Sequence, residues 1–137
     1  MLRRDAKVEK ISHVPLFSGC SKRELRQIAL IADEIDLHAG KVLCKQGALG
    51  REFFVLLEGR AEVRRDGRPI DTVEAGDFFG EVALVRQVPR NATVTATSPI
   101  RALVITERDF GGLLKDSPQI AAKVLAALAE RLPAEKV

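Results

Sequence analysis

Tryptophan and tyrosine are absent, and six phenylalanines are the whole aromatic complement of the 137 residues. A surface that stacks nucleic-acid bases between basic side chains is therefore not suggested by composition. Cysteine is scarce: Cys20 and Cys44 stand far apart with no CxxC spacing, so neither a disulfide framework nor a zinc site is expected. His13 and His38 have no ligand-type neighbours, so no metal site is expected either. Long apolar runs are also lacking. Runs such as Ile28 to Ala32 and Phe53 to Leu57 fall well short of the ~20 residues that span a bilayer. Charged Asp5, Lys7, Glu9 and Lys10 occupy the place where a secretory signal needs its apolar stretch. The thiols have no basic cluster beside them, and no serine lies in a nucleophile-elbow context. These absences point to a cytoplasmic chain with reduced thiols, no membrane segment and no enzymatic activity.

What is present suits one compact core. The chain is 46% hydrophobic and 30% charged, and its 22 Lys and Arg against 19 Asp and Glu give a net +3 spread along the sequence. That balance is a mild basic bias. A single domain over residues 1–137 is expected, long enough to bury roughly two-thirds of its unfolded surface without a staple.

The periodicity divides the chain into N-terminal helices over 7–30, a β-rich segment over 34–106 and C-terminal helices over 107–132. Ser21 followed by Glu24 forms a capping box ahead of Leu25, Ile28 and Ala29. Eight short strands are predicted at 34–38, 42–45, 52–57, 60–65, 69–73, 78–79, 92–97 and 101–105. Asp66-Gly67 is a hairpin turn, and alternation in the fourth strand puts Ala61 and Val63 on one face and Arg60, Glu62 and Arg64 on the other. Arg60, Arg64, Arg65 and Arg68 read as the solvated face of that hairpin. Thr106 caps a helix carrying Phe110, weakened by Gly111-Gly112, which makes that pair a candidate hinge. Ser117 is placed to cap a last helix with Pro118 at its first position. Ile120, Val124, Leu128 and Leu132, with Ala121 and Leu125 alongside, give that helix an apolar face, and Pro133 ends it.

Chemistry concentrates between residues 78 and 94. A strand ends at Gly80, which lets backbone approach a ligand, and Glu81 to Val85 can form a helical turn whose exposed N–H groups favour an anion. Arg90 returns after a short loop, followed by small Ala92. A guanidinium grips phosphate oxygens through parallel hydrogen bonds, whereas an ionised Glu81 only accepts and so suits a ligand hydroxyl. Together they point to a phosphorylated sugar. Without a ligand, the two would instead form a structural ion pair.

At these residues the sequence resembles the cyclic nucleotide-binding domain family. Phe79, Gly80, Glu81, Ala83, Leu84, Arg90, Ala92 and Val94 fill its phosphate-binding cassette. A second family pattern lies upstream in Leu43 to Gly50, Phe53-Phe54-Val55-Leu56 and Gly59. The resemblance covers about residues 10–132 and implies an eight-stranded jelly-roll β-barrel with flanking helices. It implies Glu81 on the ribose 2′-hydroxyl, Arg90 on the cyclic phosphate, and backbone N–H groups around Gly80, Ala83 and Ala92 completing the cradle. The implied ligand-binding set is Phe79, Gly80, Glu81, Val82, Ala83, Leu84, Arg90, Asn91 and Ala92. Gly47, Gly50 and Gly59 are expected to shape the barrel only. Asn91 departs from the small or hydroxyl residue usual at its place, where a hydroxyl helps select guanine; cyclic AMP is the default ligand and cyclic GMP the alternative. With no Trp or Tyr, Leu125, Leu128 or Leu132 would have to cover the base.

The resemblance thus implies a cyclic nucleotide sensor that moves its C-terminal helices and acts on an effector in trans or on a second copy. One rival is a ligand-free barrel used as a protein-interaction module. Another is the sensory fragment of a catabolite-activator-type regulator, although the five residues after Leu132 hold no DNA-binding domain.

Overall fold

A computed structural model describes residues 2–131. Three helical pieces come first: α1 (Leu2–Ser12), a 3-10 turn (Pro15–Phe17) and α2 (Lys22–Ile31). The capping box forms as read, with Glu24 N–H donating to Ser21 Oγ at 3.1 Å and Ser21 N–H donating to Glu24 Oε1 at 2.9 Å. Those bonds hold the Glu24 carboxyl below its usual range.

Eight strands follow: β1 (Asp33–Leu37), β2 (Val42–Cys44), β3 (Glu52–Glu58), β4 (Arg60–Arg65), β5 (Arg68–Glu74), β6 (Phe78–Phe79), β7 (Thr93–Ala96) and β8 (Ile100–Thr106). They form two four-stranded sheets, ordered β1-β8-β3-β6 and β2-β7-β4-β5. The expected barrel needs correcting in one respect. Among the described residues no ladder joins the two sheets, so the jelly roll is an open sandwich. The β4–β5 turn has positive φ at both Asp66 (54°) and Gly67 (77°), the backbone that keeps two twisted strands paired across a two-residue loop.

The apolar run in β3 has a structural reason: both faces of its sheet are buried. Phe53 and Val55 point to the helical layer with Ile11, Phe17, Ile28, Phe110 and Ile120. Phe54 and Leu56 point between the sheets with Val73, Phe79, Val94 and Ala102. Phe53 stacks on Phe110 at 4.4 Å and Phe54 on Phe79 at 4.9 Å. One strand thus ties the helices to the cassette.

A short helix α3 (Glu81–Arg86) lies between β6 and β7, and α4 (Glu107–Asp116) and α5 (Pro118–Arg131) close the chain. Thr106 Oγ1 accepts the Asp109 N–H at 3.3 Å, as expected of a cap. Ser117 does not cap α5: its buried hydroxyl has no partner among the described residues, and its own N–H closes α4 on Leu113. Ile120 and Val124 are buried, but Leu125 is 62% exposed and stands outside the apolar face assigned to it. The Leu128 side chain, Leu132 and Pro133 lie outside the described residues.

The helix α4 runs unbroken through Gly111-Gly112, and a Cβ at either glycine would meet open space. Gly111→Ala and Gly112→Ala are therefore each expected to raise stability by about 0.5–1 kcal/mol, as loss of chain entropy in the unfolded state favours the helix. Thermal unfolding of each variant checks this; a lowered midpoint would show that the pair is needed for a bend.

Candidate ligand-binding site

The site is built around Arg90, which is 7% exposed. Its backbone is clamped by the turn after β2: Arg90 N–H donates to Ala48 O and Gly47 N–H donates to Arg90 O, both at 2.8 Å. Its guanidinium is held by two more oxygens. Nη1 donates to Gly80 O at 3.1 Å and Nη2 to Glu52 O at 2.7 Å. Both of these acceptors are backbone carbonyls, which carry no formal charge and orient the fork.

Two glycines make room for that cation. Gly80 has φ +101°, a left-handed conformation, and a Cβ there would sit 2.8 Å from Arg90 Nη1 and 2.9 Å from Glu52 O. A Cβ at Gly50 would sit 1.8 Å from Arg90 Nε and 2.1 Å from Cζ, inside the guanidinium. The expectation that Gly50 only shapes the barrel is corrected by this contact. The upstream Gly-rich pattern is a mould for the arginine.

Arg90 opens onto a cavity of about 460 Å³ between the cassette and the β2-β7-β4-β5 sheet. This volume falls in the roughly 300–1,000 Å³ range of small-molecule sites. Phe79, Gly80, Glu81, Val82 and Ala83 line one side, and Arg90, Asn91 and Ala92 the next. Leu84 is the expected site residue that does not reach it. Leu84 turns into the helical core, where Val82 also packs beside Phe110, Ile120 and Val124. Glu81 is fully buried at the cavity wall.

Cys44 forms part of the same wall. Burial pushes its thiol up to about 11; Arg90 pulls it down, and Glu52 and Glu81 add to the rise. The thiol is therefore protonated and unreactive at neutral pH. Its alkylation rate should climb about tenfold per pH unit from pH 7 to 10, as the thiolate fraction grows; a plateau near pH 8.5, read by mass spectrometry, would contradict the burial. The folded-state value lies above the ordinary one near 9. Its stabilising contribution is thus complete below pH 9 and lost as pH rises to 11, by about 2–3 kcal/mol.

A family model described as the cyclic nucleotide-binding domain matches residues 34–117. The chain belongs to the cyclic nucleotide-binding domain family. It is 35% identical over 121 residues to a cyclic nucleotide-gated potassium channel of Rhizobium etli, covering 88% of this chain and 34% of the channel. It is 32% identical over 105 residues to a cAMP-dependent protein kinase regulatory subunit of Schizosaccharomyces pombe, covering 76% of this chain and 26% of the subunit. The chain thus spans about a third or less of the length of these relatives. Among solved structures, a cAMP-bound PfPKA-R superposes with a TM-score of 0.84 at 26% identity, over 99% of this chain and 48% of that one.

Several features of this cyclic nucleotide-binding domain escape its cassette pattern. Arg65 is one: instead of joining the solvated face with Arg60, Arg64 and Arg68, it lines the cavity and donates Nε to Asn91 O at 3.0 Å. The signal was strand alternation, since Arg65 stands two residues beyond Val63 on the inner face. The carbonyl of Glu52 left no signal, because any residue type supplies it. Among the described residues none of α4 or α5 lines the cavity, and Leu125 does not cover it. A second cavity of about 450 Å³ beside α1 carries charges that are already paired, Lys10 with Glu34 and Arg101 with Asp36, both at 2.9 Å.

Proposed function

We propose that this domain binds cyclic AMP in the cavity, with the cyclic phosphate on Arg90 and the ribose 2′-hydroxyl on Glu81, and that binding biases the position of the C-terminal helices. The observation that carries the reading is Arg90 itself. A buried guanidinium held by two neutral carbonyls, at the mouth of a cavity large enough for a nucleotide, is a poor stabilising device and a good anion receptor. The family and the cAMP-bound structural neighbour support the choice of ligand. Phe79, Gly80, Val82, Ala83, Asn91 and Ala92 complete the proposed pocket, and Leu84 supports it from the core side.

The route to the helices runs through α3. Glu81 and Ala83 face the cavity, while Val82 and Leu84 share the buried cluster of Phe110, Ile120 and Val124. A shift of α3 on ligand therefore changes the packing of α4 and α5. Coupling is reciprocal: an effector in trans, or a second copy, that prefers one helix arrangement changes ligand affinity by the same factor. Hydrogen exchange with saturating cyclic AMP tests both parts. Protection at 79–92 with altered exchange in α4 and α5 is expected. Unchanged exchange at 79–92 would remove the site, and protection confined to 79–92 would remove the coupling.

A further inference from the structure

A lysine ties the last helix to the N-terminal turn. Lys123, on α5, places its ammonium among four oxygens: Pro15 O at 3.0 Å, Leu16 O at 3.3 Å, Ser18 O at 2.9 Å and Ser18 Oγ at 2.7 Å. Three of these are carbonyls at the end of the 3-10 turn, where a helix has run out of N–H donors of its own. An ammonium carries three N–H groups and no acceptor, so it suits such an end, with one N–H shared among the four oxygens. Gln119, one turn earlier on α5, adds longer bonds from Nε2 to Gly19 O at 3.4 Å and to Glu24 Oε2 at 3.5 Å.

The two sides of this clasp belong to different parts of the molecule. The turn is seated on the sandwich: Leu16 and Phe17 are buried in one cluster with Phe53 and Val55 of β3. Gly76, between β5 and β6, lies so near Pro15 that a Cβ there would meet its Cδ at 3.4 Å. Lys123 instead travels with α5, and the next residue, Val124, is buried with Val82 and Leu84 of α3. The four bonds therefore require α5 to stay on the turn, and any shift of α5 driven through α3 works against them.

We propose that the Lys123 clasp is an autoinhibitory contact: it holds α5 in the arrangement that binds cyclic AMP less well, and it opens when ligand shifts α3. The inference rests on the reading that binding biases the C-terminal helices. A bond made in one arrangement alone lowers the share of the other, and apparent affinity falls by that share. Loss of the clasp thus destabilises the free domain and tightens its ligand, two effects of opposite sign. A contact that only supports the fold would lower stability without tightening binding.

Titration with cyclic AMP and thermal unfolding of the parent, Lys123→Met and Lys7→Met test the clasp. Methionine keeps the length and helix preference of lysine without its donors. Lys7 is the control: its ammonium bonds Ala29 O and Ala32 O, joining α1 to the end of α2 without involving α5. Lys123→Met is expected to unfold at a lower temperature than the parent and to bind cyclic AMP about threefold to tenfold more tightly, the worth of one net hydrogen bond. Lys7→Met should also unfold earlier but bind as the parent does. A second readout needs no substitution: the Lys123 ammonium protons of the parent, followed by NMR, should exchange slowly without ligand and rapidly at saturating cyclic AMP. Equal or weaker binding by Lys123→Met, equal tightening by Lys7→Met, or a Lys123 signal that cyclic AMP leaves unchanged would overturn the inference. A parent that binds no cyclic AMP, or binds it with exchange in α5 unaltered, would instead remove the reading on which it rests.

Discussion

Arg90→Ala should lower cyclic AMP affinity by roughly 30-fold to 5,000-fold, the range for truncating one partner of a desolvated charge pair. The loss arises because the guanidinium is the cation that the cassette aims at the cavity. Its removal frees two carbonyls, Gly80 O and Glu52 O. The space the guanidinium leaves adjoins the cavity that Gly80 and Arg90 line, where water can replace it on the two carbonyls, so the fold should survive with only a modest fall in unfolding temperature. Circular dichroism and titration on the same preparation separate the two effects. Retained affinity would mean that the phosphate sits elsewhere.

Gly50→Ala should lose nearly as much affinity although Gly50 is not among the described residues that line the cavity. The added methyl would occupy the place of Arg90 Nε and Cζ, at 1.8 and 2.1 Å. Those atoms are the middle of the side chain, not a flexible end, so the guanidinium must leave its two carbonyls. Because both substitutions act on one group, their effects should not add. The double variant Gly50→Ala with Arg90→Ala should bind no more weakly than Arg90→Ala alone. Additive losses would show that Gly50 acts through something other than the arginine.

This dependence also shows which parts of the molecule were legible in the sequence. Elements set by local chemistry were: the Ser21–Glu24 box, the Thr106 cap, the Asp66-Gly67 turn, and strands within a residue or two of their observed ends. The cassette was legible because Gly80, Glu81 and Arg90 carry their chemistry in their side chains or in the lack of one. Features made by non-local approach were not. Gly50 and Arg90 meet only when two turns 40 residues apart are brought together. The β4–β5 register, which leaves Ile70 unmatched, is not encoded by a single strand. Leu125 fits the helical period, yet lies just beyond the edge of the stripe that Ile120 and Val124 bury. Ser117 occupies a cap position by type, but the tight junction between α4 and α5 buries its hydroxyl away from the helix N–H groups.

The open sandwich has the same origin. Strand content and turn spacing fix the number of strands and their alternation, whereas closure depends on whether edge strands meet. Here β1 and β6 edge one sheet and β2 and β5 the other. The open side of the β5 edge is where the cavity gains Ile70 and Asp71.

Calorimetric titration of the chain with cyclic AMP, alongside Arg90→Ala, tests the central claim most directly. The account predicts saturable one-to-one binding by the parent and its near-loss in the variant. No heat from the parent up to millimolar ligand, or equal binding by both proteins, would contradict it.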